Sequence, residues 1–363
     1  MMETSQELQV KLSRVYELLD SHQADGLLLR RVSSFAWATC GAESFVNMAV
    51  SEGAASLFIT REHRYLLTNN IEAPRMKQEF GLADQGWEFL VSPWTEPLRE
   101  LNKLVAGKHI AADVPFPGAV DVSGQVAGLR SDLTGMEGER FKHLGKLTAE
   151  AMVSALQAVR PGMSEYQIAA IVSSETLARG VQPIVNLVAV DERVYRYRHP
   201  LPTDKKLEHY AMLVLCGRKR GLVCSITRLV HFGTLPEELR ERILVTAQVN
   251  AALVKATRPG CSLGEIFARE QEVYARLGYP DEWQKHHQGG MTGYEPREFL
   301  AVPGLQEMIK EGQAFTWNPS IVGAKVEDTI LVGASENEII TLTPSLPVTA
   351  IDGIPCALAW EVV

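Results

Sequence analysis

The apolar positions of this chain fall into two regimes. In residues 5–22, Leu8, Val10, Leu12, Val15, Leu18 and Leu19 make one stripe, the spacing of an amphipathic helix. Short apolar runs at 26–29, 54–60, 65–68 and 110–112 read as strands. Strands alternating with helical pieces are the pattern of a small α/β domain. The proline-containing stretch 113–118 and the polar run 131–138 read as connections, and a domain boundary is expected near Gly138. Beyond it the pattern predicts a long helix over 139–159, then β-like runs at 212–216, 222–226, 314–317 and 329–332.

One segment of the second half occurs twice. Ala158-Val159-Arg160-Pro161-Gly162-Met163-Ser164 returns as Ala256-Thr257-Arg258-Pro259-Gly260-Cys261-Ser262. Each copy follows an alanine-rich helical stretch and precedes another helix whose cap is its serine. The same turn in the same context predicts two related halves. The period is too long for a solenoid, so a duplicated unit is the better reading.

Composition narrows the class of protein. With 363 residues, 46% of them hydrophobic and 22% charged, the chain is expected to form two globular domains with full cores. A net charge of -8 argues against a nucleic-acid partner. The basic cluster Arg218-Lys219-Arg220 lies between two apolar runs and reads as a solvated turn. The start of the chain lacks the pattern of a secretory signal, and no apolar run is long enough to span a bilayer. The five cysteines have no metal-ligand spacing, so reduced thiols in a cytoplasmic protein are expected.

The run Lys325-Val326-Glu327-Asp328-Thr329-Ile330-Leu331 resembles the closing motif of the pita-bread family of aminopeptidase P, prolidase, methionine aminopeptidase and creatinase. The turn Pro161-Gly162-Met163-Ser164-Glu165 and the segment 286–294 fit the same family in the same order. The resemblance implies an α/β N-terminal domain, residues 1–138. It is followed by an α+β pita-bread domain with an internal pseudo-two-fold duplication, residues 139–363, in a homodimer. It also implies a cage for two metal ions made of two aspartates, a histidine and two glutamates. Aligned on these motifs, Val214, Ser225, Gly290 and Asn318 stand at four of those positions, and only Glu327 matches; an alternative register recruits His287, and two ligands still fall short of the three or more of usual catalytic sites. The expectation is therefore no catalytic metal and no other cofactor.

Other matches lie where the family handles substrate. His199 and His286 correspond to substrate-side histidines, expected to titrate near neutral pH and to move protons. Arg297 stands where metal-free creatinase has an arginine that grips the substrate carboxylate, a two-pronged contact suited to guanidinium. Thr227 and Asn318 stand where creatinase holds its guanidinium group with glutamates, which argues against creatine. Glu327, buried without metal, is expected either to have a raised pKa and act as a base or to be pinned by Lys325 or Arg228. His287, next to His286 on an extended segment, is expected to point the other way. Cys216 shares a strand face with Val214 and is a candidate nucleophile or binding group, as is Ser225, whereas Cys224 faces away. Asn318 either orients substrate or satisfies backbone groups. In the first domain Asn70, Glu72 and Arg75 either reach a partner's substrate or perform strand-end turn chemistry.

Three functions follow from the resemblance. The first is a metal-independent hydrolase of a C–N bond in a small carboxylate-bearing or dipeptide-like substrate. The second is a metal-dependent Xaa-Pro aminopeptidase or dipeptidase. The third is a non-catalytic binding protein on the same fold.

Overall fold

The computed structural model describes residues 2–363. They divide into two compact units. The first runs to Ser131 and includes Arg220–Leu222; the second holds Asp132–Lys219 and Val223–Val363. The division precedes the expected boundary near Gly138 because the long helix starts early, at Gly135. Thr134 caps it through the Glu137 amide, and the Glu137 carboxylate returns to the Thr134 amide. Among the described residues no helix is long and apolar enough to cross a membrane.

The first unit opens with the expected helix, Met2–His22. Its six strands are β1 (Gly26–Arg31), β2 (Glu52–Ile59), β3 (Arg64–Asn69), β4 (Glu88–Ser92), β5 (Ile110–Ala112) and β6 (Ala119–Asp121). They form one mixed sheet in the order β4-β3-β2-β1-β5-β6. Leu28, Phe58, Leu67, Ile110 and Ala112 pack with Leu101 on one face. The polar cluster after β3 is turn chemistry. Asn69 Oδ1 accepts from the amides of Ile71 and Glu72, and Asn70 Oδ1 accepts from the Trp94 amide. Glu72 is paired with Arg75 at 2.6 Å. The side chains of Asn70, Glu72 and Arg75 are thus engaged within this unit.

The second unit contains β7 (Gln182–Val190), β8 (Tyr210–Lys219), β9 (Leu222–Phe232), β10 (Gly289–Thr292) and β11 (Phe299–Leu300). The two-residue hairpin strands β13 (Ser320–Ile321) and β14 (Ala324–Lys325) lie between β12 (Ala314–Trp317) and β15 (Asp328–Leu331). β16 (Glu338–Ile339), β17 (Val348–Ile351), β18 (Ile354–Ala357) and β19 (Trp360–Val362) complete the chain. One sheet has the order β19-β9-β8-β7 and another β11-β10-β12-β15-β16. β7 is an apolar run that the sequence reading did not mark as a strand. The basic cluster is less solvated than expected. Arg218 is buried and donates to Gln182 Oε1, and Lys219 donates to the carbonyls of Arg179 and Gly180.

The duplication extends to single hydrogen bonds. Gly162 and Gly260 have φ of +87° and +88°, a conformation that glycine adopts without strain. The Gly162 amide donates to Leu207 O at 2.8 Å, and the Gly260 amide donates to Ile309 O at 2.9 Å. Ser164 and Ser262 then cap the helices Glu165–Ala178 and Leu263–Arg276, each in a reciprocal box with the residue three positions on. Each serine also bridges to a downstream segment, at Lys206 and Met308. Both halves therefore latch the same turn onto the same kind of segment. Ser164→Ala and Ser262→Ala should each lower stability by about 1 kcal/mol, measured as matching shifts in urea denaturation midpoints.

Candidate active site

Glu327 joins β9 to the turn before β15. The Thr227 amide donates to Glu327 O at 3.1 Å, and the Thr227 hydroxyl donates to Glu327 Oε2 at 2.6 Å. Lys325 Nζ lies 2.9 Å from the same oxygen, and an Arg297 guanidinium nitrogen lies 3.4 Å from Oε1. Burial alone would raise this carboxyl's pKa. Lys325, Arg297 and Thr227 outweigh burial and hold it at about 2. Of the two expectations for Glu327 the raised pKa is corrected and the carboxylate pinned by Lys325 is found: it is a locked anion and a poor general base. Arg228 serves the layer behind. It pairs with Asp328 at 2.7 Å and donates to Thr343 Oγ1, Thr341 O and the backbone carbonyls of Thr227 and Glu327.

The three histidines form a second cluster. His286 follows the short turn Glu282–Lys285, and Arg198 ties the segment bearing His199 to it by bonding to Glu282 and to Ile321 O. His286 Nε2 and His199 Nε2 are 3.0 Å apart. One of these nitrogens must carry the shared proton and the other must accept it. Behind His286, Ser320 Oγ lies 3.4 Å from Nδ1. The Gln288 side-chain amide donates to His286 O, and Tyr274 donates to Gln288 Oε1 at 2.9 Å while accepting from the Ser320 amide at 3.0 Å. His287 does not point away. Its ring stacks on His286 with centroids 4.5 Å apart and lies 5.5 Å from His199. The expectation of alternation fails because these residues precede β10 rather than lying within a strand.

The rings depart from the expectation that His199 and His286 titrate near neutral pH, since the pKa of each of the three is lowered. Burial, then Lys325 and the neighbouring rings, pushes His286 far below the ordinary 6.5. Loss of water and the Arg297 charge bring His287 to about 4, and partial desolvation with Lys325 lowers His199. At neutral pH all three are neutral imidazoles, able to accept a proton or donate a hydrogen bond.

The remaining candidates fall around these two clusters. Ser225 Oγ donates to the Cys216 thiol at 3.1 Å, so these two occupy each other. Burial, reinforced by the Glu327 charge, pushes the Cys216 thiol up to about 11, which removes the thiolate that a cysteine nucleophile needs. Cys224 turns the other way, to Thr148. Asn318 Oδ1 and Arg297 Nε are buried without a partner among the described residues. Unspent groups of this kind mark places where a bound molecule would be met. Sequence reasoning missed Arg198, Tyr274, Gln288 and Ser320. It carried no signal for them beyond Ser320 standing close to Lys325, its register partner across the β13–β14 hairpin.

The side chains at the expected cage positions do not fit a pair of bridged cations. Val214 has no donor atom, Ser225 is spent on Cys216, and both Glu327 oxygens are taken by cationic side chains. Gly290 is the most restrictive position. Its φ is +151°, and a Cβ there would lie 2.2 Å from Phe299 O and 2.9 Å from the Ala301 nitrogen. This backbone has no room for any side chain at the position aligned with the histidine of the implied cage.

Comparisons with known proteins agree with this architecture. The model of metallopeptidase family M24 matches residues 139–334, more than half of the chain. The chain belongs to metallopeptidase family M24, a family of hydrolases with the pita-bread fold. A Xaa-Pro dipeptidase from Pyrococcus horikoshii is 21% identical over 347 residues, covering 92% of this chain and 97% of that protein. An agropine synthesis cyclase from Rhizobium rhizogenes is 25% identical over 223 residues, 54% of this chain and 55% of that protein. The solved Xaa-Pro dipeptidase of Bacillus anthracis superimposes with a TM-score of 0.77 at 21% identity, covering 93% of this chain and 98% of that one.

Two solution measurements test this electrostatic description. Lys325→Met leaves a buried carboxylate short of a counter-charge and should cost about 3–5 kcal/mol at pH 7. The deficit should shrink on acidification as Glu327 of the variant takes up a proton, which paired denaturation curves would reveal. For the wild type, the unfolded chain binds more protons than the folded one below about 6.5, because the folded histidines resist protonation. Stability should therefore be full above that pH and fall as pH drops from 6.5 towards 4, with a shallower slope in His286→Gln.

Proposed function

We propose that this protein hydrolyses a C–N bond in a small, carboxylate-bearing molecule without the bridged metal pair of its family. The observation that carries this reading is the pairing of two neutral histidines 3.0 Å apart with a family carboxylate already neutralised by Lys325 and Arg297. Arg297 offers its unspent Nε and the outer face of its guanidinium to a substrate carboxylate. Asn318 Oδ1 is free to accept from a substrate N–H. His199, the exposed member of the pair, accepts a proton from the attacking water and delivers it to the leaving nitrogen. The water oxygen bonds to carbon as the C–N bond breaks. His286, held by Ser320, fixes the His199 ring and steadies the intermediate. Glu327 holds Lys325 and Arg297 in place rather than activating water; the exposed His287 contributes contact surface, and Cys216 and Ser225, buried and bonded to each other, back the site.

A second reading, a metal-dependent Xaa-Pro peptidase, is favoured by the names of the relatives that span nearly the whole chain. Against it stand the donor set described above and one relative named for a cyclase instead of a peptidase. One experiment separates the readings: a screen of small amides, amidines and Xaa-Pro dipeptides with the purified chain, before and after exhaustive chelation. The proposal expects turnover that survives chelation and falls by about 10² or more in His199→Ala, with Arg297→Lys acting mainly on KM. Xaa-Pro cleavage abolished by chelator and restored by divalent metal would establish the second reading. Ligand binding with no turnover of any compound would leave the fold as a binding protein.

A further inference from the structure

The ligating nitrogens of His199, His286 and His287 all lie within 4.8 Å of one another. A histidine packed for structural reasons usually fixes its tautomer through a partner on one nitrogen. Here His287 is exposed and has no hydrogen-bond partner among the described residues; its ring only lies against the other two. His286, by contrast, is held from behind, with Ser320 on Nδ1 and Gln288 on its carbonyl, and it presents Nε2 to the shared point. An imidazole oriented through one nitrogen and offering the other is the arrangement of a metal ligand with an outer partner.

We infer that His199, His286 and His287 form a site for a single divalent transition-metal ion of the imidazole-binding class, such as Zn2+, Co2+ or Ni2+. It differs from the cage implied for the bridged pair of the family in being made of imidazoles alone and in leaving out Glu327. Nitrogens around a tetrahedral zinc, each 2.0–2.1 Å from the metal, stand about 3.3 Å apart. The 3.0 Å pair needs little adjustment, and the exposed His287 ring can turn towards it. Three protein nitrogens leave one coordination position for water. Loading breaks the hydrogen bond between the two Nε2 atoms. The proton on one of them moves to the Nδ1 of the same ring, so both rings remain neutral and three metal–nitrogen bonds replace metal-bound waters. Arg198, Arg297 and Lys325 act on this cluster as like charges, opposed by Glu327, which makes the site weaker than a closed structural zinc site. Loading occupies the His199 nitrogen that the proposed reaction uses, so the metal-bound chain does not run that reaction, and binding alone is the readout.

The test is a titration of the metal-stripped full chain with Co2+, followed by visible absorption. One equivalent with intense tetrahedral bands, displaced by Zn2+, is expected. His287→Ala changes an exposed ring and should weaken binding by about tenfold or more, whereas Glu327→Gln should keep the one-equivalent bands. Should Glu327→Gln fail to fold, 113Cd resonance of the wild type decides between a nitrogen-rich and an oxygen-rich ligand set. Absence of Co2+ binding, binding indifferent to His287→Ala, binding lost with Glu327→Gln in a folded variant, or an oxygen-rich cadmium signal would each overturn the inference.

Discussion

A single buried carboxylate organises this site. Glu327 is reached by Lys325 and Arg297 and by the Thr227 hydroxyl, and its own backbone carbonyl accepts from Thr227 and Arg228. An ion buried to this degree is tolerated only when it is paired and hydrogen-bonded on every side. That demand fixes where β9 meets the approach to β15 and where the β13–β14 hairpin sits. Because the hairpin carries Lys325 on one strand and Ser320 opposite it on the other, it also sets the support behind His286. The carboxylate and the imidazole cluster are thus two ends of one short element.

Charge balance accounts for the company that Glu327 keeps. A cage with four carboxylates neutralises two divalent ions. A lone carboxylate could not, and without metal it would itself be left uncompensated. In this chain the compensation comes from an ammonium and a guanidinium, which bring their positive charge covalently attached. Burial first, then Lys325 at His286 and Arg297 at His287, keeps the neighbouring imidazoles unprotonated, so the cations that neutralise Glu327 add to what burial does to the histidines.

Much of the fold was legible in sequence because periodicity and turn chemistry are local. The doubled Arg-Pro-Gly turn with its capping serine announced the duplicated half, and the strands around Leu28, Phe58 and Leu67 stood out as apolar runs. The helix start was misplaced because Thr134 and Glu137 cooperate across a polar stretch that reads as a loop. Within the site, the identities of His199, His286, Arg297 and Glu327 could be read from motif order, but their protonation could not. For Glu327 the sequence left a raised pKa and a pinned carboxylate both open, and the second holds, because proximity to Lys325 and Arg297 is a property of the folded chain. His287 was misjudged for a related reason: alternation is a rule for strands, and the chain becomes a strand only two residues later. Arg198, Tyr274 and Gln288 carry no signature at all, since their roles arise from contacts between distant segments.

Gly290 carries a last consequence. Its backbone runs so close to β11 that a methyl group would collide with main-chain atoms, which cannot rotate aside as a side chain would. A side chain therefore cannot be placed at this position by a single substitution. The ladder between two strands would have to open first, so the main chain itself decides what position 290 can carry.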